Sequence, residues 1–411
     1  MGEQGVSTVL VAGAGQSGFQ AVASLRDRGF AGRVVLVGDE PGVPYQRPPL
    51  SKAYLAGTAG LEQLHLRGED FFADKDIELV AGRIASVDRE ASLVRLEDGT
   101  ELAYDHLILA TGARNRTLPV PGADLPGVLT LRTRDDADRL RASLTAAENV
   151  VVVGGGFIGL EFASHAGRPV TIVEAQDRLL NRVATPEISA YFAALHREAG
   201  HTVLLGQGVS ALHGDSRVRE VELSDGSRLP ADLVVIAVGV VPETTLAAAA
   251  GLAVDNGVVV DEHLRTADEK IFAIGDCANF PCVQAGAATR LESVQNAVDQ
   301  ARCVAAAITG APEPYVSLPW FWTDQSGAKL QIAGILADAD RTVVAGDREA
   351  GKFSVLSFRD DVLIAVESVN RPADHIAARR LFTADPHPKY ADLEASEFNL
   401  KEHLKAASTR G

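Results

Sequence analysis

Two stretches of this chain carry the same spacing of glycines, and that spacing is suited to holding a dinucleotide. Gly13-Ala14-Gly15-Gln16-Ser17-Gly18 follows the apolar run Thr8-Val9-Leu10-Val11-Ala12. Gly154-Gly155-Gly156-Phe157-Ile158-Gly159 follows Val150-Val151-Val152-Val153. Each reads as a strand, a tight turn and a helix. In that arrangement the first glycine makes the turn, the second lets the backbone approach a pyrophosphate, and the third lets helix and strand pack closely. The helix start adds unpaired N–H groups and a positive dipole end. One copy is weak evidence. Two copies point to two dinucleotides, and a protein holding two is suited to passing electrons between them.

An acid ends the strand after each motif. Asp39 follows Arg33-Val34-Val35-Leu36-Val37-Gly38, and Glu174 follows Val170-Thr171-Ile172-Val173. An acid there can accept from a ribose hydroxyl, and it repels a 2′-phosphate. Glu174 therefore favours NADH over NADPH, with Arg168, Arg178 and Arg182 close enough in sequence to soften the preference. Asp39 alone also reads as a solvated turn residue. The span Gly159–Glu174 is shorter than Gly18–Asp39, and Gly167-Arg168-Pro169 is a strong helix stop. The second helix is thus expected to be short.

The repeat extends beyond the glycines. Leu107-Ile108-Leu109-Ala110-Thr111-Gly112 and Leu233-Val234-Val235-Ile236-Ala237-Val238-Gly239 read as buried strands ending in small-residue turns. Turn signals precede them at Asp98-Gly99 and Asp225-Gly226. This is the pattern of one nucleotide-binding unit inserted into another. Asn256–Asp261 carries a hairpin-and-strand signal, Ile271–Asp276 a strand ending in an aspartate, and Ser293–Ile308 helical periodicity. From about Asp324 short antiparallel strands follow (Leu330–Ile335, Arg341–Ala345, Phe353–Phe358, Val362–Val369), then a helix near Asp374–Phe382. The tail from Pro386 reads as polar and loosely specified.

Composition narrows the function classes. The 411 residues are 46% hydrophobic with a formal net charge of −16. That argues against general affinity for nucleic acid or an anionic membrane surface. No apolar run reaches the ~18–20 residues of a membrane span, and no signal peptide is evident. Met1-Gly2 resembles a myristoylation start, but Val6 stands where Ser or Thr is needed. Three cysteines, Cys277, Cys282 and Cys303, fit a reducing compartment, hence the cytoplasm. Cys277 and Cys282 are spaced as a dithiol could be, but the pair is not near either glycine motif in sequence, so a structural or incidental role is the preferred reading. The scattered histidines, such as His65 and His375, suggest surface or packing positions. Pro49 can open a helix, placing Lys52 near its first turn, where a cation does not suit the dipole.

Taken together, these motifs resemble the FAD-dependent, NAD(P)H-dependent ferredoxin reductases of bacterial oxygenase systems. The most specific pieces are Val37-Gly38-Asp39-Glu40, Arg47-Pro48-Pro49-Leu50-Ser51-Lys52, Leu109-Ala110-Thr111-Gly112, Gly275-Asp276-Cys277, Leu291–Ala297 and Trp320-Phe321-Trp322. The resemblance covers nearly the whole chain. It implies an α/β fold of the glutathione-reductase kind, with two Rossmann-like dinucleotide-binding domains and a small C-terminal α+β domain. FAD would occupy residues 1–113 and 245–323, NAD residues 114–244, and the third domain residues 324–411.

The resemblance also implies the sites. Gly13, Gly15, Ser17, Gly18, Asp39, Arg47, Lys52, Ala85, Arg132, Asp276 and Val294 would contact FAD, held non-covalently, with Asp276 on the ribityl chain. Gly154, Gly156, Ile158, Gly159, Glu174 and Gly239 would hold NADH, its nicotinamide stacking between Ile158, Glu161 and Gly239. Glu161 would pair with Lys52 beside the flavin N5, and these two are the expected catalytic residues. The helix-dipole reading of Glu161, as a simple stabiliser of the first helical turn, stands beside this. No metal is expected. The partner would be a 2Fe-2S ferredoxin feeding a haem monooxygenase or a ring-hydroxylating dioxygenase, docking near Arg290, Arg302, Trp322 and Lys329. Trp320 and Trp322 read either as core packing or as a bridge to the docking face. A monomer is expected, since Arg371-Pro372-Ala373-Asp374-His375 lacks the pattern that related disulfide reductases use to dimerise. Two other readings are an NADH oxidase, disfavoured because Tyr45–Lys52 holds no cysteine, and a nucleotide-sensing protein, disfavoured by the lack of long inserted loops.

Overall fold

The computed structural model describes residues 7–383 and 387–408. Met1-Gly2, Val6 and Pro386 lie outside them. The chain divides into two compact units. The first comprises Met1–Gln46, Gly60–Arg114 and Val240–Ser317. The second comprises Arg47–Ala59, Asn115–Gly239 and Leu318–Gly411.

The first unit is built on a five-stranded parallel sheet. Its order is Ile271–Ala273, His106–Leu109, Thr8–Ala12, Arg33–Gly38, Ile77–Ala81. Both faces of such a sheet are covered, so its strands read as continuous apolar runs; Val9, Leu10 and Val11 are fully buried. The helix Gln16–Asp27 packs on the helix Val294–Ile308. A three-stranded antiparallel sheet (Ile84–Asp88, Leu93–Leu96, Glu101–Ala103) is appended. Its tight turn is set by Gly99 at φ 88° and by Asp98, which accepts from the Thr100 N–H.

The second unit repeats this plan. Its parallel sheet runs Thr202–Leu205, Thr171–Glu174, Val150–Val153, Leu233–Ile236, Val128–Thr130. The appended sheet is Val209–His213, Glu220–Leu223, Arg228–Pro230. Gly226 at φ 83° and Asp225, accepting from the Ser227 N–H, make the equivalent turn. The helix after the second glycine motif, Phe157–His165, is short, as the Gly167-Arg168-Pro169 stop implies.

The second unit also carries a five-stranded antiparallel sheet. The order is Trp320–Gln325, Ala328–Gly334, Val362–Val369, Lys352–Arg359, Arg341–Asp347. The first strand was not legible as one, because its Trp-Phe-Trp start hides the alternation. The helix Pro372–Leu381 covers the sheet. The tail is better specified than its polarity suggests: Tyr390–Glu394 and Leu400–Ser408 are helical, and Leu393 and Leu400 join the core with Leu356, Phe358 and Leu381. Elsewhere, the Asn256-Gly257 turn folds the chain back so that Val254 and Val258 form an antiparallel bridge, and Val258–Val259 also pairs in parallel with Ala278–Asn279.

Candidate functional site: two dinucleotide cradles and a buried ion pair

In the first unit, the glycine turn is dictated by space. Gly13 adopts φ 115°, and a Cβ there would stand 2.3 Å from the Ala110 carbonyl oxygen. A Cβ on Gly18 would stand 1.8 Å from the Gly13 carbonyl oxygen. Gly15 is the opposite case: nothing lies within 4 Å of its Cβ position. Two glycines are needed so that backbone can touch backbone, and the third leaves room where a pyrophosphate would lie. Gly15 is also the N-cap of the helix Gln16–Asp27, which bears no acid in its first turn, so its amides face the cradle without competition from a carboxylate.

The other FAD candidates of this unit have definite places. Asp39 lies just past the strand end, 3.2 Å from Arg83. Ala85 is an exposed residue at the register shift between Ile84 and Ser86. Asp276 sits in a 3-10 turn, Gly275–Cys277, and its side chain is the one in the run Ile271–Phe280 that is not buried. Gly275 fixes that turn at φ 75°; a Cβ on it would reach Ser17 Oγ at 2.8 Å, and its N–H donates to Gln300 Oε1 at 2.7 Å. Val294 is the first residue of the helix Val294–Ile308, capped by Ser293, whose hydroxyl accepts from the Asn296 N–H. These features fit a bound dinucleotide: room at Gly15, a helix end, and an acid turned outward.

The second cradle matches the first position by position. Gly154 (φ 111°) would clash with the Ala237 carbonyl oxygen at 2.4 Å, and Gly159 with that of Gly154 at 2.4 Å. Gly156 has nothing within 4 Å. Glu174 is turned back onto the motif. Its Oε2 accepts from the Gly155 N–H at 2.6 Å and its Oε1 from the Gln176 N–H at 2.7 Å. Arg178 is directed inward, donating to the carbonyls of Ala184 and Asn181 and to Ser189 Oγ. Gly239 adopts φ 94°, with Arg182 Nη2 3.3 Å from its Cβ position. Ile158 is 43% exposed, as an apolar contact for a flat ring requires.

Lys52 and Glu161 meet in the second unit. Pro48–Ser51 forms a 3-10 turn rather than the start of an α-helix, and Lys52 follows it. Its Nζ lies 2.7 Å from Glu161 Oε2. Glu161 is 3% exposed and falls in the second turn of its helix, not the first, so the dipole reading loses its basis. Two hydroxyls that were not anticipated complete the carboxylate's shell: Ser51 Oγ donates to Oε2 at 2.6 Å and Thr323 Oγ1 to Oε1 at 2.6 Å. Ser51 lay within a motif of interest; Thr323 gave no signal. The same 3-10 segment is held by Arg47, which donates to the Arg132 carbonyl at 2.6 Å, and by Tyr54, which donates to Asp138 at 2.8 Å. Arg132 precedes a capping box, Thr133 with Asp136, that opens the helix Arg134–Ala146.

The candidate docking residues differ in character. Arg290 is 10% exposed by side chain and bound to Glu292 at 2.6 Å. Arg302 and Lys329 are more exposed, each near an acid: Asp299 at 3.3 Å and Asp324 at 4.0 Å. Trp320 and Trp322 are half-buried, ring centroids 5.6 Å apart, with Arg379 4.5 Å over Trp320. Arg379 is a cation the sequence did not single out. His375 packs edge-on to Trp320, and burial pushes its pKa down to about 4. All three cysteines are unbridged; Cys277 and Cys282 are buried, which pushes both thiols up and keeps them unreactive. Among the described residues no helix is long and apolar enough to cross a membrane, and no group of acids, histidines and cysteines is placed to hold a metal.

Known proteins share this architecture along its whole length. Residues 7–301 match the pyridine nucleotide-disulphide oxidoreductase family, and residues 320–404 the reductase C-terminal family. Rhodocoxin reductase of Rhodococcus erythropolis is 50% identical over 399 residues, 96% of this chain and 93% of that protein. Putidaredoxin reductase of Pseudomonas putida is 40% identical over 410 residues, 97% of each. Two crystal structures superpose with a TM-score of 0.94: a ferredoxin reductase for the CYP199A2 system of Rhodopseudomonas palustris (48% identity; 96% of this chain, 99% of that one) and a covalent putidaredoxin reductase–putidaredoxin complex (39%; 98% and 100%). With two glycine cradles of one design and a C-terminal antiparallel sheet, the chain belongs to the pyridine nucleotide-disulphide oxidoreductase family.

Proposed function

We propose that this protein is an FAD-dependent NADH:ferredoxin reductase that feeds an oxygenase, a haem monooxygenase or a ring-hydroxylating dioxygenase. The observation that carries this reading is the paired cradle, with open space at both Gly15 and Gly156 in one chain. The kinship with ferredoxin reductases supports it. FAD belongs to residues 1–113 and 245–323, NAD to 114–244, and the C-terminal domain to 324–411 together with the strand that begins at Trp320.

The chemistry follows from a mismatch in electron number. NADH gives a hydride, while a 2Fe-2S centre takes one electron at a time. Bound FAD supplies the conversion between them. The chain's own residues bind and orient. Gly13, Gly15, Ser17, Gly18, Asp39, Ala85, Asp276 and Val294, with Arg47, Lys52 and Arg132, are assigned to FAD. Gly154, Gly156, Gly159 and Glu174 hold the NAD pyrophosphate and ribose, and Ile158 and Gly239 flank the nicotinamide. Glu161 holds the Lys52 ammonium in place, so that a fixed cation faces the reacting flavin edge. Glu174 is assigned to the NAD ribose, where its carboxylate would repel a 2′-phosphate, and with Arg178 committed inward this favours NADH. Trp322, Arg302, Lys329 and Arg290 are assigned to ferredoxin docking, with the exposed Arg302 and Lys329 as the main basic contacts. The protein acts as a cytoplasmic monomer.

The test is direct. The purified protein is yellow, and anaerobic NADH bleaches it much faster than NADPH does. Cytochrome c reduction then requires an added ferredoxin. A colourless protein, or a yellow one that NADH leaves unbleached, removes the proposal. A rate that no ferredoxin changes moves the reading to an NADH oxidase.

A further inference from the structure

The strand Trp320–Gln325 is two-sided. Successive side chains of a strand point to opposite faces, and here the two sets meet different neighbours. Trp320 and Trp322 lie together on one side. Phe321, Thr323 and Gln325 lie on the other. Phe321 meets Phe157 with ring centroids 4.2 Å apart, and Thr323 meets Glu161 at 2.6 Å. Two residues of strand advance about 6.6 Å and four residues of helix about 6 Å, so the strand and the helix Phe157–His165 step in register. One step further, the Ser326 N–H donates to Ser164 Oγ at 3.0 Å.

From Thr323 the hydrogen bonds continue inward. Gln325 Nε2 donates to Thr323 Oγ1 at 3.1 Å, and His196 Nε2 lies 3.3 Å from Gln325 Oε1. The direction of each bond follows from the end at Glu161. A carboxylate only accepts, so the Thr323 hydroxyl must donate to it. The Thr323 oxygen is left to accept, so Gln325 turns its NH2 toward it. The Gln325 oxygen then faces His196, whose proton must sit on Nε2. Burial pushes the His196 pKa down to about 4, which keeps the imidazole neutral and able to leave Nδ1 bare; Nδ1 has no partner among the described residues. Thr323 and His196 are fully buried and Gln325 is 1% exposed. With donor and acceptor roles fixed from the carboxylate end, the chain has one consistent arrangement, running from His196 to Glu161 Oε1.

We propose that Thr323, oriented by Gln325 and His196, is a positioning residue for the Lys52–Glu161 pair: it occupies Glu161 Oε1 so that Oε2 stays turned onto Lys52 and Ser51. The proposal rests on the ferredoxin-reductase reading above, in which Lys52 faces the flavin. It assigns a redox-tuning role to a residue of the C-terminal domain that touches neither nucleotide motif.

The experiment uses the yellow holoprotein. Wild-type bleaching by NADH is recorded first; its absence defeats the ferredoxin-reductase reading itself rather than the role of Thr323. Thr323→Val is then compared with Thr323→Ser in both the wild-type and the Glu161→Gln backgrounds. Two quantities are read: the anaerobic rate of flavin reduction against NADH concentration, and the flavin midpoint potential by spectroelectrochemical titration. A hydrogen bond to a charged group is worth about a tenfold change in rate. Thr323→Val is expected to slow reduction about tenfold with the NADH concentration for half-maximal rate unchanged, and to raise the midpoint potential, since Lys52 is less fully neutralised. Thr323→Ser restores both values. In the Glu161→Gln background the effect of Thr323→Val vanishes. Wild-type rate and potential in Thr323→Val overturn the proposal, as does an equal effect in both backgrounds. If Thr323→Val fails to retain FAD, Gln325→Leu carries the test with the same readouts: a slowing of about threefold supports the proposal, and none overturns it.

Discussion

The two nucleotide-binding units share a cradle and differ in what they bury. In the first, the buried polar side chains are hydroxyls and amides: Ser17, Ser24, Thr266, Asn279, Gln295, Asn296 and Gln300. In the second, Glu161, His196, His201, Glu367, Asp374 and His375 are buried as well. Among the described residues every fully buried acid or histidine lies in the second unit. The contrast is visible at one matched position. Two residues past the last motif glycine, the first helix has Gln20, bonded to Ser24 Oγ at 2.9 Å; the second has Glu161. A neutral interior holds a cofactor by shape. Buried charge costs solvation, and Glu161 keeps its charge with both carboxylate oxygens bonded, which marks it as part of a region that does more than hold.

A substitution at the third-position glycines should separate the two cradles most completely. Gly15→Val and Gly156→Val add atoms only to open space, so both variants should fold. The first is expected to be colourless. The second is expected to be yellow and unbleached by NADH. Visible absorbance before and after anaerobic NADH reads both at once, and identical behaviour of the pair would dissolve the division of labour.

Next in size is Glu161→Gln, which leaves the Lys52 cation without its partner. Breaking one side of a buried pair costs about 3 kcal/mol. Gln20→Ala should change stability by less than about 0.5 kcal/mol, as expected of a substitution that breaks no buried charge network. Denaturant unfolding of the two variants tests the inequality.

The largest pH dependence of stability between acid and neutral pH should likewise come from the second unit. Burial raises the Glu367 carboxyl to about 7, above its ordinary value of 4.5. Between those values the folded state keeps a proton that the unfolded state gives up, so stability falls as pH rises through that window. Glu367→Gln should therefore gain about 3 kcal/mol over wild type at pH 8 and nothing at pH 4, read from thermal melts; no gain at pH 8 would remove the burial argument. His196 acts in the opposite sense. Its folded pKa of about 4 lies below 6.5, so its contribution is present above pH 6.5 and is lost on acidification toward 4.

The smallest effect concerns the two ribose acids. Glu174→Ala is expected to raise the Michaelis constant for NADH about tenfold and to relax selection against NADPH, one charged hydrogen bond being worth that much. Asp39→Ala should weaken FAD retention less, because Asp39 is half exposed and shared with Arg83. Steady-state kinetics with both coenzymes, and flavin release on dilution, check the order.

Much of this architecture was legible because its signals are local. Glycine spacing, acid-ended strands and Asp-Gly turns each report on a few consecutive residues, and the structure reproduces them twice. What the sequence hid depends on contacts across the chain. Thr323 lies 162 positions from Glu161 and is an ordinary strand residue until the sheet brings it there. The ends of the parallel sheets are another case. The fifth strand of the first unit, Ile271–Ala273, comes after its cradle, while that of the second, Val128–Thr130, comes before it. No periodicity distinguishes these orders. Arg290 shows the converse: its charge is plain in the sequence, yet only the fold reveals its pairing with Glu292 and its burial.

The alternation of Trp320–Gln325 has an evolutionary consequence. Its even and odd positions share a backbone but answer to different constraints: Trp320 and Trp322 to one side of the strand, Phe321, Thr323 and Gln325 to the helix Phe157–His165 and the chain behind it. Substitution is permitted there and a change of length is not: a single deleted residue would transpose the two sets, and drift between paralogues should accordingly appear as replaced letters in a segment of constant size.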